Sequence, residues 1–231
     1  MIYYINSYAE DAEMLALCTA RVRELDPDAR IFIANDPERP LQRMPEGCEE
    51  LHRFTPRNGN LNGVNFIRDQ LNGFRTVMEL TEADYIVKMD SDAWLNAVDW
   101  LQVSSENDAD LLFLERQIPL KVNGTCYRIS KTAVDTLILA IGEREWPQGY
   151  NCPEDDTTYL LALRSGLHVQ TIPYTEGCNA GLHASLPTER HARAWCVHCG
   201  EPLSNGTRCP REMALLRMRV LAHALKNNTQ K

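Results

Sequence analysis

Apolar positions recur along the chain in two rhythms, runs of neighbours and steps of three or four. Residues 2–5 form a short apolar run. Met14, Leu15, Cys18, Val22 and Leu25 follow at helical spacing and end on the Asp26-Pro27-Asp28 turn, after which 31–33 is a second apolar run. This is a strand–helix–strand unit. Pro37, Pro40 and Pro45 break the next stretch into loop, and 51–54 reads as a short third strand. The spacing of Val64, Ile67, Leu71, Phe74 and Met78 predicts a helix over 62–80, in spite of Gly63 and Gly73. Residues 85–89 then form a strand that runs into Asp90-Ser91-Asp92.

The second half continues the alternation. A strand is predicted over 111–114, a helix over 131–141 behind the N-cap Ser130, a helix over 153–163, a strand over 167–174 and a final helix over 211–225. Pro153 suits a first helical turn, and Glu154, Asp155 and Asp156 complement its positive dipole end. Strands alternating with helices predict an α/β domain on a mostly parallel, twisted sheet flanked by helices. The expected division is one domain over 1–190, with a Cys-rich knuckle and helix over 191–231 packed on the same domain.

Composition narrows the function classes. A chain of 231 residues can bury roughly 70% of its unfolded surface in one core. Thirty-two acidic residues against 24 basic ones give a net charge of -8, a surface that repels phosphate backbones, so no nucleic-acid partner is expected. Nothing approaches the ~18 consecutive apolar residues of a membrane span, and the N-terminus enters a strand without the basic flank and apolar stretch of a signal peptide. A cytoplasmic location is the expectation, and the sequons at Asn123, Asn205 and Asn227 then carry no glycan. Cys18, Cys48, Cys126, Cys152 and Cys178 stand singly and read as small buried hydrophobes.

Two aspartates one residue apart at the carboxyl end of a strand stand where ligands bind in open α/β sheets. Their hard oxygens suit Mg²⁺ or Mn²⁺ together with a diphosphate. The string Asp84-Tyr-Ile-Val-Lys88-Met-Asp90-Ser-Asp92-Ala-Trp-Leu95 resembles the signature of GT-A glycosyltransferases, a hydrophobic strand, Lys, one residue and Asp-x-Asp. The resemblance implies a GT-A-like fold, with Asp92 on a metal ion and Asp90 touching metal and ribose. A second stretch, from Trp146 to Asp156, resembles an extended form of the Trp-Gly-Gly-Glu-Asp-Asp motif of inverting galactosyltransferases and their N-acetylhexosaminyl relatives, with Cys152-Pro153 in place of Gly-Gly. It implies Asp155 as the general base, beside Glu154. Three adjacent carboxylates also suit a solvated helix N-terminus. His183 follows Asp155 at a separation similar to that between base and metal-ligating His in the same enzymes, which implies His183 as a third metal ligand; His168 and His191 are rivals.

The implied activity is transfer of a hexose or N-acetylhexosamine from a UDP-sugar to an acceptor hydroxyl with inversion. The acceptor, whether glycan, lipid-linked or protein, is not specified by these motifs. Asn6, Tyr8 and Asp36 end the first two strands, where such enzymes bind uridine, and Arg57 and Arg68 are candidates for phosphate or base. Cys196-Val-His-Cys199-Gly200 and Cys209-Pro210 resemble part of a zinc knuckle, so Cys196, Cys199 and Cys209 are candidate ligands of a structural Zn²⁺, with Cys178, His191 or His198 as a fourth. Two other classes fit the sheet and its acids. One is a nucleotidyltransferase, although Asn6-Ser-Tyr-Ala-Glu10 lacks a Gly-rich basic phosphate loop; the other is a non-catalytic carbohydrate-binding or scaffold protein.

Overall fold

The computed structural model describes residues 1–7, 9–56, 63–104, 108–115, 122–142, 153–172, 186–187, 191, 194–200 and 209–228. In chain order the elements are β1 (Ile2–Ser7), α1 (Ala12–Leu25), β2 (Arg30–Asn35), β3 (Cys48–His52), α2 (Gly63–Thr81), β4 (Tyr85–Asp90) and β5 (Ala93–Leu95). They continue with β6 (Leu111–Glu115), β7 (Val122–Ser130), α3 (Lys131–Gly142), α4 (Glu154–Arg164), β8 (Val169–Ile172), β9 (Cys196–His198) and α5 (Arg211–Asn228). Seven strands form one sheet in the order β3-β2-β1-β4-β7-β6-β8, and β5 pairs with β9 in a small second sheet. All pairings in the large sheet are parallel except those of β7, which runs against β4 and β6.

Alternate residues of each strand divide between two cores, as the two-residue period of a strand requires. Tyr3, Ile5, Ile31, Ile33, Val87, Met89, Leu112 and Leu114 pack with α1, α5, β5 and β9. Tyr4, Phe32, Ala34, Ile86, Leu111 and Phe113 face α2, α3 and α4. Each fully buried Leu, Ile or Phe contributes about 1.5–3 kcal/mol against exposure. Gly73 is in α2 because Tyr4 occupies the space a side chain would need: a Cβ there would stand 2.6 Å from the Tyr4 hydroxyl. The same parity sets the stage for chemistry. Asn6 stands in step with Tyr4, and Lys88 and Asp90 with Ile86, so these three polar residues are on the α2–α4 face.

The predicted elements are present, with boundaries moved by a few residues. Ser130 caps α3 as expected, its hydroxyl accepting the Ala133 N–H at 3.0 Å. Three strands were not expected: β5, β7 and β9. β7 carries no apolar run in sequence, with Asn123, Gly124, Thr125 and Arg128 along it, yet all nine of its residues are buried. Arg128 and Asn123 find hydrogen-bond partners inside the fold. The Arg128 guanidinium donates to the carbonyls of Leu101, Gln102 and Ala109, and Asn123 Oδ1 accepts the Thr125 N–H. Between Phe113 and Leu114 the register against β7 jumps from Tyr127 to Asn123, so residues 124–126 bulge away from β6 beside the end of β4. β9 and α5 share one core with β1, β4 and α1.

Candidate active site

Asp90 ends β4 directly beside Asn6 of β1. Ser91 turns to the opposite face, where its hydroxyl donates to Asp11 Oδ2 at 2.6 Å at the start of α1. The chain then enters β5, which lies antiparallel to β9 with Ala93 opposite His198. That pairing delivers the imidazole: His198 Nε2 is 3.4 Å from Asp92 Oδ2, and the Cys199 N–H donates to the Asp92 carbonyl at 3.0 Å. Gly200 makes the approach feasible, since a Cβ on it would stand 2.0 Å from Asp92 Oδ2. One ligand atom from each of Asp90, Asp92 and His198 lies within 4.8 Å of the others, the one such group of ion-holding side chains among the described residues. Two carboxylates and an imidazole are a donor set that fits a divalent cation with coordination positions left open.

On the other side of Asp90 stands Lys88, almost wholly buried. Its ammonium donates to Asp90 Oδ1 at 2.9 Å and to the Gly124 carbonyl at 2.5 Å, and lies 3.6 Å from Glu154 Oε2. The bulge in β7 supplies that carbonyl, and the same residue fixes the acidic helix. Gly124 N–H donates to Asp155 Oδ2 at 2.9 Å, and a Cβ on Gly124 would meet the Asp155 Cβ at 2.7 Å. Asp155 Oδ1 accepts the Asp156 N–H at 2.9 Å. Glu154 Oε1 accepts from the Tyr127 hydroxyl and from Gln70 Nε2, each at 2.5 Å. Burial raises the Glu154 carboxyl above the usual range; Lys88 opposes the shift and Asp155 adds to it. Burial likewise pushes the Tyr127 phenol well up, with Glu154 reinforcing.

Lys88 thus joins Asp90 to the acidic cluster Glu154–Asp156. Asn6 and Asp36 also lie close to this group. Asn6 Nδ2 donates to Gln70 Oε1 at 2.6 Å, and Asn6 Oδ1 accepts from Arg53 Nη1 at 3.3 Å. Arg53 Nη2 pairs with Asp36 Oδ2 at 2.8 Å, both side chains buried, while Asp36 Oδ1 accepts the N–H groups of Glu38 and Arg39. Arg68, a candidate for the donor, is elsewhere. Two residues before Gln70 on α2, it stands on the opposite side of the helix and donates to the Ile141 carbonyl at the end of α3. Tyr8, Arg57, Trp146, Cys178 and His183 lie outside the described residues.

The three knuckle thiols do not converge. Cys196, Cys199 and Cys209 are not a group whose sulfurs all lie within 4.8 Å of one another. Cys196 is in β9, in the core with Cys126 and Cys18, and burial drives the Cys126 and Cys199 thiols well above their ordinary values. Cys209 Sγ instead accepts from Arg217 Nη1 at 3.3 Å, and the same nitrogen donates to the Cys199 carbonyl at 2.8 Å. The buried Arg217 ties Cys199 and Cys209 to α5.

Four residues central to this geometry are not marked as such by the sequence. His198 reads there only as a candidate fourth zinc ligand. Gln70 carried a readable signal, a polar residue on the apolar stripe of α2 between Ile67 and Phe74. Tyr127 and Arg53 carried none.

No family model matches the sequence, and no curated protein matches it. Solved structures do share its fold. A glycosyltransferase involved in the glycosylation of the major capsid of PBCV-1 superposes with a TM-score of 0.57 at 12% identity, over 92% of this chain and 97% of that one. The galactosyltransferase LgtC, solved in complex with donor and acceptor sugar analogs, gives 0.56 at 14% identity over 97% and 96%. The glycosyltransferase GlyE of Streptococcus pneumoniae gives 0.53 at 10% identity over 99% of this chain and 63% of that one. The chain therefore has the GT-A fold that its aspartate motif implied.

Proposed function

We propose that the protein is a metal-dependent glycosyltransferase that moves a hexose or N-acetylhexosamine from a UDP-sugar to an acceptor hydroxyl. The observation that carries this reading is the Asp90, Asp92 and His198 group at the carboxyl end of β4, on a GT-A sheet. These three side chains would hold Mn²⁺ or Mg²⁺; His183, the ligand implied by the resemblance, lies outside the described residues. A bound divalent ion would offset the charge that develops on the departing diphosphate. Asn6, at the end of β1 beside Asp90, lies on the donor side of the site.

Asp155 is proposed as the general base and Glu154 as its neighbour in the acidic cluster. Gly124 and Asp156 N–H groups fix the orientation of the Asp155 carboxylate, and a carboxylate held in one orientation can take the proton of an attacking hydroxyl within reach. With no covalent intermediate, a single displacement inverts the anomeric centre. The acceptor is a glycan, a lipid-linked sugar or a protein hydroxyl. The test is incubation of UDP-hexoses and UDP-N-acetylhexosamines with Mn²⁺, following UDP release and reading the anomeric configuration of the product by NMR. The expected result is metal-dependent UDP release and an inverted product. Retention would remove Asp155 as base, and absence of UDP release from every donor would overturn the activity.

A further inference from the structure

A line of polar contacts, hydrogen bonds joined by one ion pair, runs beneath the site from Asp36 to Asp90, and its polarity is fixed by the cations Arg53 and Lys88. Arg53 has only donors, so the oxygen of Asn6 must face it and the Asn6 amide N–H₂ must point onward. That group donates to Gln70 Oε1 at 2.6 Å, which turns the Gln70 N–H₂ toward Tyr127 and Glu154. Glu154, an acceptor when ionised, receives Gln70 and the Tyr127 hydroxyl on Oε1 and faces Lys88 with Oε2. Lys88 then donates to Asp90. From Arg53 through Asn6 and Gln70 each group donates to the next, and Glu154 accepts from both directions, from Gln70 on one side and facing the Lys88 ammonium on the other. Gln70, 1% exposed on α2, is the sole described residue that hydrogen-bonds both Asn6 and Glu154.

We propose that Gln70 is a positioning residue for the transfer reaction, orienting Glu154, and through it Lys88 and Asp90, relative to the donor-side residues Asn6 and Arg53. Inside a low-dielectric interior such a network is worth more than its separate bonds, because each polarises the next. Gln70 touches no reacting atom. Its effect is to hold one Glu154 rotamer against the ammonium that in turn holds a metal-ligating carboxylate. The proposal rests on the glycosyltransferase reading for its kinetic consequence but not for the link itself.

Two measurements separate these. The first needs no activity: the effects of Asn6→Ala and Glu154→Gln on the urea-unfolding equilibrium, alone and together, in the parent and in a Gln70→Met background. With Gln70 present the two effects are non-additive by at least about threefold in the unfolding constant, and in the Met background they add. Additivity in both backgrounds overturns the link, whatever the protein catalyses. The second is steady-state kinetics. Gln70→Met, near-isosteric but unable to hydrogen-bond, lowers kcat about tenfold or more with donor KM changed less than about twofold, and costs nothing further in a Glu154→Gln background. A parent-like kcat, or losses that multiply, overturns the positioning role. If the parent transfers no sugar, the activity reading fails while the unfolding cycle still decides the link.

Discussion

Asp90 and Asp92 are two residues apart and have opposite surroundings. Asp90 is on the α2–α4 face, where Lys88, Gly124, Glu154, Tyr127 and Gln70 form a closely bonded polar cluster. Asp92 lies over the β5–β9 edge, where a backbone carbonyl contact and an imidazole at 3.4 Å hold it and Gly200 leaves it room. The first environment brings an ammonium to its carboxylates; the second brings an imidazole, a neutral or cationic ligand. A divalent ion held between them would draw on both, with Asp90 already oriented from inside and Asp92 positioned from β9. The difference also explains the β7 bulge, which supplies a carbonyl to Lys88 and an N–H to Asp155 from one glycine.

Breaking the Lys88 side gives the largest effect. Lys88→Met leaves Asp90 and Glu154 buried without the ammonium, which costs about 3–5 kcal/mol, read as a lower urea midpoint. A variant as stable as the parent would mean that the carboxylates do not depend on Lys88. Asp155→Asn keeps the shape of α4; fold and metal-dependent UDP affinity stay near the parent while kcat falls roughly 10²-fold, the scale of lost general-base assistance. Near-parent turnover would reduce Asp155 to a helix-terminus residue.

On the Asp92 side, Gly200→Ala forces a Cβ against Asp92 Oδ2. Overpacking of this kind costs about 1–3 kcal/mol, and here it should weaken Mn²⁺ binding more than it lowers the melting temperature; calorimetry beside a thermal melt compares the two. The smallest effect is a pH dependence on the Lys88 side. The folded Glu154 carboxyl titrates above its unfolded value of about 4.3, because burial outweighs Lys88. Between the two values the native state binds more protons, so stability is present below the unfolded value and is lost as pH rises through the folded one. Glu154→Gln removes that slope. Parallel urea midpoints for parent and variant from pH 4 to 8 would contradict the sign.

Apolar periodicity made α1, α2, α3 and the strands β1, β2, β4 and β6 legible, because their side chains pack by shape and water exclusion alone. β7 was not, since its buried polar residues are explained only by partners distant in sequence, Leu101, Lys88 and Asp155. The site divides the same way. Asp90-Ser91-Asp92 stands at a strand end that the sequence marks, whereas His198 reaches it through the β5–β9 pairing, two three-residue strands too short for any periodic signal. Arg217 on α5, which ties Cys199 and Cys209 to that helix, looks in sequence like any exposed helical arginine.

Titration calorimetry of UDP in the presence and absence of Mn²⁺, on the parent and on Asp92→Ala, tests the central claim most directly. The account predicts UDP binding that requires the ion in the parent and falls at least about 100-fold in the variant, since one carboxylate and an imidazole do not balance the charge of ion plus diphosphate. Metal-independent UDP binding, or an affinity unchanged by the substitution, would contradict it and move the ion away from β4.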